Sequence, residues 1–227
     1  KEGMSLKAFG SKDYESEALA QTALAALRSQ SRLTVESVTR RVDEHGRIKV
    51  THTSPPLSYD LTALQKDANR RHGFSADKTL SIAQSLYEKK ITTYPRTGSR
   101  YISEDVFEEV PALLRKIGKT LSNPLNRHSV DNAKVTDHHA IIPIGETPLG
   151  MSADERTIYQ MVVNRFIEAF FPDSGEERMQ VRFTDGTNIF TWKACRQISL
   201  GWKAVQKGKE AEAEKMVMNR FYLHCLV

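Results

Sequence analysis

The sequence predicts an α+β fold in which both ends of the chain build a β-rich domain and a helical, helix-turn-helix-like domain is inserted between them. Three observations carry this. Residues 33–53 and 179–194 are rich in β-branched and aromatic side chains, with period-two alternation in the second run. The stretch from Asp60 to Phe171 instead carries the apolar period of helices. Ser54-Pro55-Pro56 and Gly175 break the chain where one pattern gives way to the other. Residues 1–54 and 175–227 are therefore assigned to the β-rich domain and 55–174 to the helical one.

Taken in order, residues 14–29 read as a helix capped by Asp13. Glu15 and Glu17 occupy its first turn, and Leu19, Ala23, Ala26 and Leu27 form its apolar stripe. Leu33–Val42 and Arg47–Thr53 flank Asp43-Glu44-His45-Gly46 and predict a hairpin. Two helices follow, Asp60–Arg71 closed by Gly73 and Ala76–Lys90 opened by Ser75. Their short glycine-containing connection resembles a helix-turn-helix, a unit that also occurs in proteins that never touch DNA. Ser103 is expected to cap a further helix, with Glu104 and Asp105 in its first turn and Gly118 at its end. Ser152-x-x-Glu155 is a capping box, and the helix it opens runs through Ile158, Val162, Phe166 and Phe170 to Pro172. Met179, Val181 and Phe183 alternate, Asp185-Gly186 predicts a type I′ turn, and Phe190, Trp192 and Ala194 alternate on the return. Residues 207–216 are charged and aperiodic and read as a flexible stretch.

With 227 residues the chain can bury a sizeable core, and its 39% hydrophobic and 27% charged composition is that of a globular protein. No apolar run approaches the roughly 18 residues of a membrane span. The opening Lys-Glu-Gly-Met is no signal peptide and reads as an internal cut. Cys195 and Cys225 form no C-x-x-C, which speaks against a disulfide framework or a cysteine zinc site and fits a reducing cytoplasm. Net charge is +5, and residues 66–100 carry all of it, with eight basic side chains against three acidic ones. Such clustering suits either a solvated face or contact with a polyanion.

That window contains Ile91-Thr-Thr-Tyr-Pro-Arg-Thr97. Pro95 pushes Tyr94 out of helical space, and in an extended segment Tyr94 and Arg96 share one face. A phenol beside a guanidinium can attack and hold a phosphodiester; the same spacing also fits a loop tyrosine beside a solvated arginine. The second unusual stretch is Asp137-His-His-Ala-Ile-Ile-Pro143. Adjacent histidines rarely share one metal ion, and no Cys, Asp or Glu completes a ligand set. One of them can instead stabilise a phosphate or protonate a leaving sugar oxygen, or serve the structure alone.

Taken together, the tyrosine segment, the histidine segment about 40 residues later and the preceding Leu61–Tyr87 run resemble the type IA DNA topoisomerases, in particular the topoisomerase III branch. Gly201-Trp202 fits the same pattern. The resemblance is firm from about Thr53 to Pro143 and looser over residues 14–205. It implies that Tyr94 is the nucleophile that becomes joined to a 5′-phosphate, that Arg96 positions the scissile phosphate, and that His138 contacts it. His139 falls on a position that differs between branches and is kept as a DNA contact. Lys66, Arg70 and Arg100 are added as backbone contacts on charge alone, Lys66 and Arg70 lying four residues apart on one helix face. Many members carry an aspartate where this chain has Gly98, so the part such a carboxylate plays is open here.

The resemblance further implies a magnesium-binding acidic domain with an Asp-x-Asp signature, preceding these segments. No Asp-x-Asp occurs in the sequence, and no metal is expected on this chain. It is therefore read as the β arch and tyrosine-bearing gate of a longer, monomeric enzyme, with single-stranded DNA and that acidic domain as partners, no membrane association, and weak or no cleavage alone. Hinges are expected near 54–58 and 171–175. Two rivals are weaker. A tyrosine recombinase places its nucleophile after a His-x-x-Arg element, whereas Tyr94 precedes His138-x-x-Ile141. A non-catalytic helix-turn-helix DNA-binding module explains the basic window but not Tyr94-Pro95-Arg96.

Overall fold

The structure is a computed structural model and describes residues 9–10, 13–29, 33–119, 121, 124–145 and 148–206. Residues 207–227, with the stretch read as flexible and Cys225, lie outside the described residues. Helices combine with an antiparallel sheet, the α+β class that the sequence predicts. The chain forms two compact units. One takes the residues up to His52 together with Gly175–Ser199; the other takes Thr53–Ser174 and continues from Leu200.

The first unit holds β1 (Phe9–Gly10), α1 (Glu17–Ser29), β2 (Thr34–Arg40), β3 (Val50–Thr53), β4 (Ser174–Thr184) and β5 (Ile189–Ser199). Strand order is β1-β5-β4-β2, with β3 also paired to β4. Met179 faces Ala194, Val181 faces Trp192 and Phe183 faces Phe190, so the alternating apolar residues of β4 and β5 share one face. Val181 is the one buried apolar side chain among the described residues of this unit. On the same face Glu177 is fully buried between Arg40 and Arg196, at 3.5 and 2.7 Å.

Three local expectations change here. Helix α1 begins at Glu17, and Ser16 accepts the Leu19 N–H at 3.3 Å, so Ser16 and not Asp13 caps it. The predicted hairpin survives only at its tip, where Asp43 N–H donates to Arg47 O at 2.8 Å and Val42 bridges Ile48. Beyond that tip β2 pairs with β4 from Thr34 to Arg40, and β3 pairs with β4 as well. The Asp185 turn is a four-residue loop: Thr184 pairs with Ile189, Asp185 Oδ1 accepts the N–H groups of Thr187 and Asn188, and only Gly186 has positive φ. A type I′ turn needs positive φ at both central residues.

The second unit holds α2 (Leu61–His72), α3 (Ala76–Glu88), α4 (Glu104–Lys116), a 3₁₀ turn at Asn132–Lys134, α5 (Ala153–Phe170) and α6 (Lys203–Gln206). Asp60 accepts the Ala63 N–H at 2.6 Å to open α2, and Gly73 closes it with φ 69°. Ser75 accepts the Lys78 N–H at 3.1 Å to open α3. The α5 capping box forms as read. Ser103 stands at the α4 cap position, but the Glu104 N–H donates instead to Asn132 Oδ1 at 2.8 Å. Helices α2 and α3 pack on each other and on α5, around a core that includes Leu64, Ala68, Leu86, Ile158, Phe166 and Phe170.

Leu200, Ala204 and Val205 join this core, so the described residues that follow β5 belong to the helical unit. Gly201, at φ 50°, permits that return: a Cβ there would sit 2.3 Å from the Asp173 carbonyl oxygen. No helix among the described residues is long and apolar enough to cross a membrane.

Candidate active site

The site starts where α3 stops. Ile91 N–H donates to Leu86 O at 2.9 Å and Lys90 N–H to Tyr87 O at 2.8 Å, the paired bonds of a Schellman motif. Lys90 takes the left-handed position usually given to glycine, with φ 57°. This shortens α3 by two residues against the sequence expectation and reverses the chain over the last helical turn. The accompanying apolar contact fits Leu86 and Ile91, both buried in the core.

After that reversal residues 91–97 run beside residues 138–144. Thr93 N–H donates to Ile142 O at 3.0 Å, and Ile144 N–H to Ile91 O at 3.1 Å. The Thr93 hydroxyl donates to Ala140 O and accepts the Ile142 N–H. The Thr97 hydroxyl donates to His138 O at 2.9 Å. On its other side Ile141 N–H donates to Tyr59 O at 2.8 Å. The two unusual sequence stretches are thereby bound into one unit.

Side chains alternate along the tyrosine segment as an extended chain requires: Pro95, Thr97 and Ser99 are buried, while Tyr94 is half-buried and Arg96 and Gly98 are exposed. The Tyr94 ring lies between two others. His138 is at 4.6 Å between ring centroids and tilted by 49°, and Tyr87 is at 5.2 Å and nearly perpendicular at 76°. Among the described residues no carboxylate pairs with Arg96, so its guanidinium is open to an outside anion.

His139 points elsewhere. Its Nδ1 donates to Ala140 O at 2.8 Å. The Asp105 carboxyl is held below its usual value, mainly by the Ser103 hydroxyl and in smaller part by the His139 ring. Gly98 is free of positive φ, and a Cβ there meets nothing within 4 Å, so neither backbone nor packing demands glycine.

The residues added on charge alone divide. Lys66 is exposed on α2. Arg70 is exposed but donates to Asp67 Oδ1 at 2.8 Å. Arg100 is half-buried and faces the protein's own backbone: its Nε donates to Ser58 O at 3.2 Å and its Nη2 to Leu57 O at 3.4 Å. The basic window is also countered from outside, since Lys78 pairs with Asp154 and Lys89 with Glu155. Sequence reasoning missed Tyr87, and no spacing signal could have found it, because only the Schellman reversal brings it to Tyr94. Among the described residues no group of three or more His, Cys, Asp or Glu gathers to hold a metal.

The chain matches the DNA topoisomerase family over residues 2–222. It is 38% identical over 199 residues to DNA topoisomerase 3 of Shouchella clausii (strain KSM-K16), covering 81% of this chain and 26% of that protein. It is 39% identical over 175 residues to DNA topoisomerase 3 of Bacillus subtilis (strain 168), covering 70% of this chain and 24% of that protein. Among solved structures, full-length topoisomerase I from Thermotoga maritima matches with a TM-score of 0.66 and 25% identity, over 89% of this chain and 34% of that one. The chain thus spans about a quarter of the length of the curated relatives it matches. It belongs to the type IA DNA topoisomerase family, in the topoisomerase III-like branch.

Proposed function

We propose that this chain is the tyrosine-bearing gate of a type IA topoisomerase, acting on single-stranded DNA. The Tyr94 oxygen attacks a backbone phosphorus; as the O–P bond to tyrosine forms, the bond from phosphorus to the 3′ oxygen breaks. The phenol loses its proton and the departing 3′ oxygen gains one. One phosphodiester is exchanged for another, so the reverse step reseals the strand without ATP. Arg96 holds the non-bridging oxygens of the scissile phosphate, and His138 contacts the same phosphate beside the attacking ring. The observation that supports this reading is the 4.6 Å packing of Tyr94 on His138, with Arg96 exposed two residues further along the same face.

A phenol that keeps its proton is a weak nucleophile. The electrostatic setting that lowers this barrier is assigned to a separate acidic, magnesium-binding segment, so the chain alone binds DNA and cleaves weakly or not at all. The test mixes this chain with a separately expressed acidic N-terminal segment of a relative, magnesium and end-labelled single-stranded DNA, then quenches with denaturant. Covalently trapped label is expected with the native chain and none with Tyr94→Phe, whose DNA affinity stays unchanged. Label trapped equally by Tyr94→Phe refutes the nucleophile. DNA binding with no adduct in any mixture favours the non-catalytic helix-turn-helix module.

A further inference from the structure

We infer that Tyr87 is a positioning residue for the Tyr94 nucleophile, an inference that rests on the active-site reading above. Tyr94 is held from two sides, and only one of them, His138, belongs to the phosphate-binding set. The other is Tyr87, in the last turn of α3, at 5.2 Å and 76°. Nearly perpendicular aromatic pairs are attractive because a positive ring edge meets a negative ring face. The pair therefore resists rotation of the Tyr94 ring about its side-chain torsions.

The backbone is built to deliver this contact. The Schellman bonds from Ile91 to Leu86 and from Lys90 to Tyr87 fold the tyrosine segment back over the helix turn that carries Tyr87. The left-handed backbone of Lys90, the sole non-glycine positive φ among the described residues, is tolerated at that reversal. Beneath it, Ser85 and Lys89 both donate to Glu155 and anchor the same turn to α5. Tyr87 itself is 39% exposed, more than a side chain retained only for core packing requires. Its ring bears on Tyr94, and through Tyr94 on the geometry of attack.

A positioning residue acts on approach and departure alike. In the reconstituted adduct assay Tyr87→Ala is expected to slow adduct formation and resealing equally, by about tenfold, because misplacing a reacting group by less than an ångström costs on that scale. The fraction of adduct at equilibrium and the affinity for single-stranded DNA stay unchanged. Tyr87→Phe keeps the ring and restores both rates. The chain labelled with 3-fluorotyrosine supplies a readout that needs no activity: the Tyr94 fluorine signal, identified by its loss in Tyr94→Phe, moves in Tyr87→Ala and holds in Tyr87→Phe.

Native rates in Tyr87→Ala overturn the inference, as does a phenylalanine variant as slow as the alanine one. Affinity lost in step with rate makes Tyr87 a DNA contact and overturns it too. Should the alanine variant unfold, Tyr87→Leu repeats the test without an aromatic ring. An adduct that survives Tyr94→Phe sinks the active-site reading itself, whereas a fluorine signal unmoved by Tyr87→Ala sinks only the role of Tyr87.

Discussion

Removing the charge of Glu155 tests the joint that carries the candidate site. One carboxylate oxygen accepts from the Ser85 hydroxyl at 2.8 Å and from the Lys89 ammonium; the other accepts the Ser152 N–H at 3.0 Å. The Lys89 contact, then the Ser152 N–H and the Ser85 hydroxyl, lower the pKa of Glu155 from 4.5 to about 2. At about 1.36 kcal/mol per unit, the depression corresponds to at most about 3 kcal/mol of folding stability at neutral pH. Because the folded-state value lies below the unfolded one, this contribution is present above pH 4.5 and is lost as pH falls toward 2.

The assay is urea unfolding of the native chain and Glu155→Gln across that range. The two differ most at pH 7 and converge as pH falls, since the other acidic groups are common to both proteins and cancel in the difference. Stability curves that stay parallel from pH 7 to pH 2 would falsify the charge-dependent clamp, leaving Glu155 a helix cap whose neutral form serves equally well.

Two further outcomes follow from the geometry. Arg100→Ala removes the donors to Ser58 O and Leu57 O and should lower stability by about 1–2 kcal/mol. It should leave the salt dependence of single-stranded DNA binding unchanged, while Arg96→Ala reduces that log–log slope by about 0.7 for the phosphate contact it loses; a slope lowered by Arg100→Ala contradicts the inward placement. Lys90→Gly relieves the left-handed backbone at φ 57° and should raise the urea midpoint, by up to about 1 kcal/mol in stability. A destabilised glycine variant would mean that the lysine side chain contributes more than the backbone costs.

Much of the helical unit could be read residue by residue. Asp60 and Gly73, Ser75, and Ser152 with Glu155 act on backbone groups within three or four positions, so type and place along the chain are enough to identify them. Pro95 likewise dictated an extended tyrosine segment, and its side chains alternate between buried and exposed as that requires. The apolar alternation of Met179–Phe183 and Phe190–Ala194 correctly paired β4 with β5. Asp13 misled because Ser16, also a strong cap, stood closer to the first helical turn.

What the sequence by itself determined was therefore local: helix limits set by caps and glycines, the extended run around Tyr94, and the motifs that identify the family. The tertiary structure alone decided which distant groups meet. It sent β2 and β3 to β4 instead of to each other, turned Arg100 toward Leu57 and Ser58, and set Tyr94 between His138 and Tyr87. The physical reason is range. A cap or a proline acts through hydrogen bonds and sterics over a few residues. A strand's partner, a guanidinium's acceptor or a ring's neighbour is chosen by what burial brings within contact across tens of residues, and no spacing in the chain records that choice.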